Sequence, residues 1–194
     1  MIPDKGATIP LNAEVLNIEP TIAIYEEQHD HVPMSLDEKA EYLQALVGHH
    51  SQILPNNLTR GDTDLRCLAM NIFYESRGEP ILGQLAVANV TMNRFSRSSN
   101  TICNIVYSPG QFEWTKKRLR EPSGGDAWRQ ATILAWLVLN QPELMFDITN
   151  NALYFHSFRR TPRSFYRFEH AITIGNHRFY RERTLEEVAQ APIR

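Results

Sequence analysis

The sequence is short of cysteine: 194 residues contain only Cys67 and Cys103. Two thiols close at most one bridge, so a disulfide scaffold is excluded, and by residue type they read as unpaired, buried thiols. Long apolar runs are also missing. No stretch approaches the roughly 18 consecutive apolar residues of a membrane span. The opening segment, MIPDKGATIP, lacks a basic run followed by an apolar one. The expectation is a protein made in the cytoplasm without a secretory leader. There is no internal repeat, no low-complexity tract and no excess of one charge. Lys plus Arg number 20 against 22 Asp plus Glu, a formal net charge of −2, so the chain is not a polycation built to coat nucleic acid. Its 42% hydrophobic content is enough for a core at this length, which excludes disordered and collagen-like classes.

The near-neutral sum hides an asymmetry. Residues 1–60 carry three basic and nine acidic side chains, whereas residues 114–183 carry twelve Lys/Arg and six Asp/Glu. The basic part suits an anionic polymer, or is simply a solvated face. Residues 1–34 hold four prolines and little periodicity, and read as an extended arm. Ser35-Leu-Asp-Glu38 fits a capping box opening a helix through about Gln52. Asp62-Thr-Asp64 opens the next helix, with Leu65, Leu68, Ala69, Ile72 and Phe73 at helical spacing and a stop near Gly78. A third helix is expected over Gly83–Phe95, and a fourth over Ala127–Asn140 capped by Asp126. From Ala152 the texture becomes β-prone: Leu153–Phe155, then Ala171–Ile174 and His177–Tyr180 around a Gly175-Asn176 turn. Thr184 caps a short last helix over Leu185–Gln190. The expectation is an α+β fold, mainly helical, with a small hairpin or sheet in the last third. Residues 1–60 form an extension of arm plus helix, and residues 61–194 the main domain.

The chemistry points to Tyr74-Glu-Ser-Arg-Gly-Glu79. Glu75 closes an apolar helix beside Phe73 and Tyr74. A desolvated carboxyl there keeps its proton near neutral pH, which a general acid needs. The alternative is a solvated helix-end glutamate. Glu79 lies beyond Gly78 and reads as structural, paired with Arg77 or Arg94.

The run Ile72-Phe-Tyr-Glu-Ser-Arg-Gly-Glu-Pro80, followed by Gly83–Val90 and Asn93-Arg94, resembles the opening signature of the SleB-type cell wall hydrolases, whose best-known members are spore cortex-lytic enzymes. Thr101–Tyr107 with Pro109–Trp114, then Asn151–His156 and Ile174–Tyr180, resemble the family's later blocks in order. The resemblance covers about residues 64–182. It implies a lysozyme- and lytic-transglycosylase-like fold acting on peptidoglycan glycan strands, between N-acetylmuramic acid and N-acetylglucosamine, without metal or organic cofactor. Glu75 takes the position of the family's catalytic acid. The family usually has alanine next, where this chain has Ser76.

A single acid suffices for a transglycosylase, because the muramic acid's own C6 hydroxyl can attack the anomeric carbon. A hydrolase generally needs a second carboxylate, and Glu113 is the candidate. Gln111, Tyr154 and His156 are the expected sugar-binding residues, since aromatic faces and amides suit sugars. Phe112, Trp114, Phe155, Phe179 and Tyr180 read equally as core. Two other classes stay open. His156, His170 and His177, with Asp147 or a cysteine, suggest a zinc amidase or peptidase, although no His-Glu-x-x-His is present. Arg159-Arg160-Thr-Pro-Arg163 among aromatics suggests a nucleic-acid-binding module. With no leader, the protein would reach the bacterial wall after release from a host cytoplasm, as a phage endolysin or a virion-borne lysin.

Overall fold

The computed structural model describes residues 34–184 apart from Arg118 and Arg160. The N-terminal arm, the helix expected over Leu185–Gln190 and one residue of the Arg159–Arg163 cluster fall outside the described residues. The fold class is the expected one: helices, then a small antiparallel sheet. The chain divides into two compact units, Met1–Lys39 and Ala40–Arg194.

Helix α1 (Leu36–Ile53) opens on the expected capping box. The Ser35 N–H donates to the Glu38 carboxylate at 2.7 Å and the Glu38 N–H to the Ser35 hydroxyl at 3.3 Å. Leu43, Leu46 and Val47 are buried, and the buried His50 ring lies 5.5 Å from Trp136. Carbonyls in the last turn of α1 and just beyond it are collected by one guanidinium. Arg129 donates to Pro55 O at 2.7 Å, Ser51 O at 3.0 Å and Leu54 O at 2.5 Å, filling acceptors that a helix end leaves unpaired.

Helix α2 (Thr63–Ser76) is capped by Asp62, whose side chain accepts from the Leu65 N–H at 2.9 Å. It stops where expected, with Gly78 at φ +87. It packs against α3 (Ile81–Ser96), α4 (Ile102–Tyr107) and α5 (Asp126–Asn140), so nearly every side chain from Leu65 to Phe73 except Arg66 is buried. Helix α3 starts two residues earlier than the sequence suggests, and it is buried without interruption from Ile81 to Thr91. Asp126 is the first residue of α5, with Gly125 in the cap position. The short α4, unmarked by any periodicity, is capped by Thr101 accepting from the Asn104 N–H.

Strands β1 (Tyr154–Ser157), β2 (Glu169–Ile174) and β3 (His177–Arg181) form a three-stranded antiparallel sheet in the order β1-β3-β2. Phe155 lies opposite Phe179, and Tyr154 opposite Tyr180. Alternation therefore sends Phe155 and Phe179 to one face and Tyr154, His156, Arg178 and Tyr180 to the other. Phe112, Trp114, Phe179 and Tyr180 are core, and Phe155 is half-buried against Phe112.

The thiols do not remain free, contrary to expectation. Cys67 of α2 and Cys103 of α4 are joined in a disulfide, because the packed helices bring their Cα atoms to 5.2 Å. The sequence cannot show that approach across 36 residues. Titration of the denatured, unreduced protein should find no free thiol at these positions, and reduction should lower stability by about 3–4 kcal/mol on loop-closure grounds. Two titratable thiols without reduction would contradict the bridge.

Candidate active site

The last turn of α2 places Glu75 at the edge of the helical core. Ser76 turns inward, donating to Ile72 O at 2.6 Å. Tyr74 stacks on Trp114 at 5.0 Å and donates to Arg120 O at 2.5 Å. Trp114 in turn donates to the buried Asn71, which donates to Thr91 of α3 at 3.0 Å. The turn carrying Glu75 is thus held from both sides.

No hydrogen bond from a described residue reaches the Glu75 carboxyl. Burial pushes its pKa from 4.5 to about 7, the Glu113 charge adds to the rise, and the Arg94 charge opposes it. Glu113 begins a 3-10 turn (Glu113–Lys117), is 79% exposed and pairs with Lys116 at 3.4 Å. The two carboxylates are therefore near enough to feel each other while differing sharply in solvation.

Arg94 is the residue that sequence reasoning undervalued. Its Nε donates to Leu153 O at 2.7 Å, and its guanidinium lies 5.1 Å from the Phe112 ring and 5.8 Å from the Tyr154 ring. Its Nη1 is buried without a partner among the described residues. Burial lowers its pKa to about 10, so it stays charged at neutral pH. Nearby, Asn89 Oδ1 accepts from the Ile148 N–H, and Asn93 donates to Asp147 at 3.1 Å and Ala152 O at 3.2 Å. This polar line along α3 fixes the loop leading into β1. The signal was the Asn93-Arg94 pair in the last turn of an otherwise apolar helix.

Glu79 is structural, as expected, but its partner is not an arginine. Its carboxylate accepts from the Asn176 backbone N–H at 2.8 Å and the Asn176 side-chain amide at 2.9 Å, clasping the β2–β3 turn to the start of α3. Gly175 permits this: its φ is +55, and a Cβ there would stand 2.0 Å from Glu79 Oε2. Arg77 instead lies over the Phe73 ring at 5.1 Å.

The other expected residues fall on two sides of this core. Tyr154 stacks on Phe168 at 4.1 Å and borders Arg94, joining Glu75 in one neighbourhood. His156 bonds Tyr180 Oη at 3.0 Å and meets Phe165 edge-on at 4.7 Å. Gln111 is exposed before the buried Phe112. Among the described residues no group of three or more His, Cys, Asp or Glu is placed to hold a metal. His170, one of the imagined zinc ligands, bonds Thr173 instead.

A family model described as Cell Wall Hydrolase matches residues 78–180, just over half of the chain. The chain belongs to the cell wall hydrolase family. Glu75 stands three residues before the matched span. The chain is similar to the spore cortex-lytic enzyme of Bacillus cereus, 41% identical over 61 residues, which are 30% of this chain and 23% of that protein. To the spore cortex-lytic enzyme of Bacillus subtilis (strain 168) it is 36% identical over 53 residues, 26% of this chain and 17% of that one. The match thus spans about a quarter or less of these relatives' length. Its fold is similar to the crystal structure of the catalytic domain of the Bacillus cereus SleB protein. The TM-score is 0.51 at 27% identity, covering 66% of this chain and 95% of that one. The catalytic domain of the germination-specific lytic transglycosylase SleB from Bacillus anthracis gives 0.52 at 27% identity, covering 66% of this chain and all of that one.

Two outcomes follow from this geometry. Gly175→Ala should break the clasp and cost on the order of 2 kcal/mol, read as a lower melting temperature. A carboxyl with a raised folded pKa carries no penalty when protonated in both states; the penalty grows as pH rises from 4.5 to about 7. Glu75→Gln should therefore gain stability over the parent across that interval, by up to about 3 kcal/mol above pH 7. A stability difference that does not change with pH would show that Glu75 is solvated.

Proposed function

We propose that this chain cleaves peptidoglycan glycan strands between N-acetylmuramic acid and N-acetylglucosamine as a lytic transglycosylase, with Glu75 as its one acid/base. The observation that carries the proposal is the Glu75 carboxyl, held up to about 7 by burial at the end of α2. It is about half protonated at neutral pH and more so below, so it can give a proton to the glycosidic oxygen as the C1–O bond breaks. The carboxylate then takes the proton of the muramic acid C6 hydroxyl, whose oxygen closes on C1. The product carries a 1,6-anhydro ring, and no water is consumed. The similarity to a domain described as a lytic transglycosylase supports this reaction.

Arg94 limits the rise in the Glu75 pKa and stabilises the carboxylate formed midway. Tyr154 is assigned to the sugar face beside it, with His156 and Gln111 as hydrogen-bonding partners for hydroxyls. Glu113, solvated and paired with Lys116, is poorly suited to act as a desolvated nucleophile.

Glu75→Gln should lower turnover on purified peptidoglycan by about 100- to 10,000-fold, with the fold intact by circular dichroism. Mass spectrometry of digests should find anhydromuramyl ends, each lighter by one water than a hydrolytic end. Glu113→Gln should retain most of the activity. Reducing muramic acid ends together with loss of activity in Glu113→Gln would establish a two-carboxylate muramidase instead. Released stem peptides with glycan strands left intact would indicate an amidase.

A further inference from the structure

The outer face of the sheet holds a cavity of about 890 Å³ that the reaction above does not use. Arg178, Arg183 and His170 contribute its basic groups, and Phe165, Tyr166 and Tyr180 its rings. One acid, Glu169, also lines it, but that carboxylate is engaged by Arg183 at 3.6 Å. Arg178 differs. It projects from the central strand and is half-buried. Among the described residues its guanidinium donates only to the Thr161 hydroxyl, at 3.2 Å, and meets no carboxylate at ion-pair distance.

With one neutral acceptor among the described residues, this partly desolvated guanidinium has most of its five donors open to a ligand. Its planar fork matches a carboxylate. The surrounding rings suit an aliphatic chain, and Tyr166, 70% exposed, extends that apolar wall to the rim. The Thr173 hydroxyl lies in the same wall. A run of contacts links the cavity to the acid: Phe168 lines it and stacks on Tyr154, which borders Arg94, whose charge acts on Glu75.

We propose that this cavity is a subsite for the peptide stem of the wall polymer, with a stem carboxylate on Arg178 and aliphatic stem atoms against Phe165 and Tyr166. The inference rests on the glycan-cleaving reading and extends it to substrate choice: strands bearing peptides are preferred over bare ones. An apolar-walled cavity whose Arg178 guanidinium faces no acid among the described residues suits a peptide carboxylate better than a phosphate polymer, which would need several cations and no rings.

The test uses the full chain in two arms. In the first, Glu75→Gln protein is titrated calorimetrically with a soluble disaccharide tetrapeptide and with the same disaccharide lacking its peptide. The peptide-bearing ligand should bind at least about tenfold more tightly, as expected for hydrogen bonds to a charged group. Adding Arg178→Gln should remove that difference, Arg178→Lys should retain part of it, and Tyr166→Ala should reduce it. The lysine and tyrosine variants guard against a glutamine variant that fails to fold. In the second arm, KM is compared on intact strands and on strands stripped of peptide by an amidase. The ratio should favour intact strands in the parent and approach unity in Arg178→Gln. Equal binding of the two ligands by the parent overturns the subsite. So does an Arg178→Gln effect equal for both ligands, or a preference that follows attached phosphate polymer rather than peptide. If no glycan is turned over but the peptide-dependent binding remains, the reaction assignment falls and the subsite stands. If turnover proceeds without peptide preference, the reverse holds.

Discussion

Burial of α2 among three other helices sets the character of the whole site. Its side chains are consumed in packing, and the helix is braced further by the disulfide to α4 and by the Asn71–Trp114 and Asn71–Thr91 hydrogen bonds. The backbone turns away at Gly78, and the last turn before it carries a carboxyl at the edge of the core. Water reaches it poorly and no described donor replaces that water. The proton therefore stays on to about pH 7, well above the range of a solvated glutamate. Two charges compete over the remainder. Glu113 works in the same direction as burial and Arg94 against it, and burial is the largest of the three.

Helix α3 supplies the opposite wall, and it does so by mixing apolar burial with a few amides. Asn89, Asn93 and Arg94 face the loop before β1 and satisfy backbone groups that a non-helical segment leaves unpaired. Asn150 and Asn151, both at positive φ, allow the chain to turn tightly there. At the other end of α3, Glu79 holds the β2–β3 turn through two hydrogen bonds. The sheet is thus tied to one helix at both ends, and Tyr154 is carried to a fixed place beside Arg94. A shift of either tie would move the aromatic wall relative to the acid.

The basic surplus of residues 114–183 resolves into different kinds of cation. Arg129 is spent on a helix end. Arg183 faces Glu169, and Lys116 faces Glu113, across partly or largely exposed pairs that contribute little stability. Arg178 alone combines partial burial, an open cavity and the absence of a facing acid among the described residues. Net charge could not distinguish these cases, because the distinction lies in which side chains face each other.

Local rules were enough for much of the fold. The Ser35–Glu38 capping box, the Asp62 cap, the stop near Gly78 and the Gly175-Asn176 hairpin all depend on residues within four positions of one another, and each is found. The apolar helix that Glu75 closes left two readings open, a desolvated carboxyl and a solvated helix-end glutamate, and burial in the packed structure favours the first. What the sequence left open was settled by approach between distant segments. The two cysteines become a bridge only because α2 and α4 pack side by side. Glu79 finds Asn176, 97 residues away, instead of Arg77 or Arg94, because the hairpin folds back over Pro80 and Gly83. Arg94 acquires its place between Phe112 and Tyr154 in the same way. Helix starts, stops and tight turns are decided by short-range sterics and hydrogen bonding, which a linear sequence displays. The partner of a long polar side chain is decided by which backbone reaches it first, and that is a property of the packed structure alone.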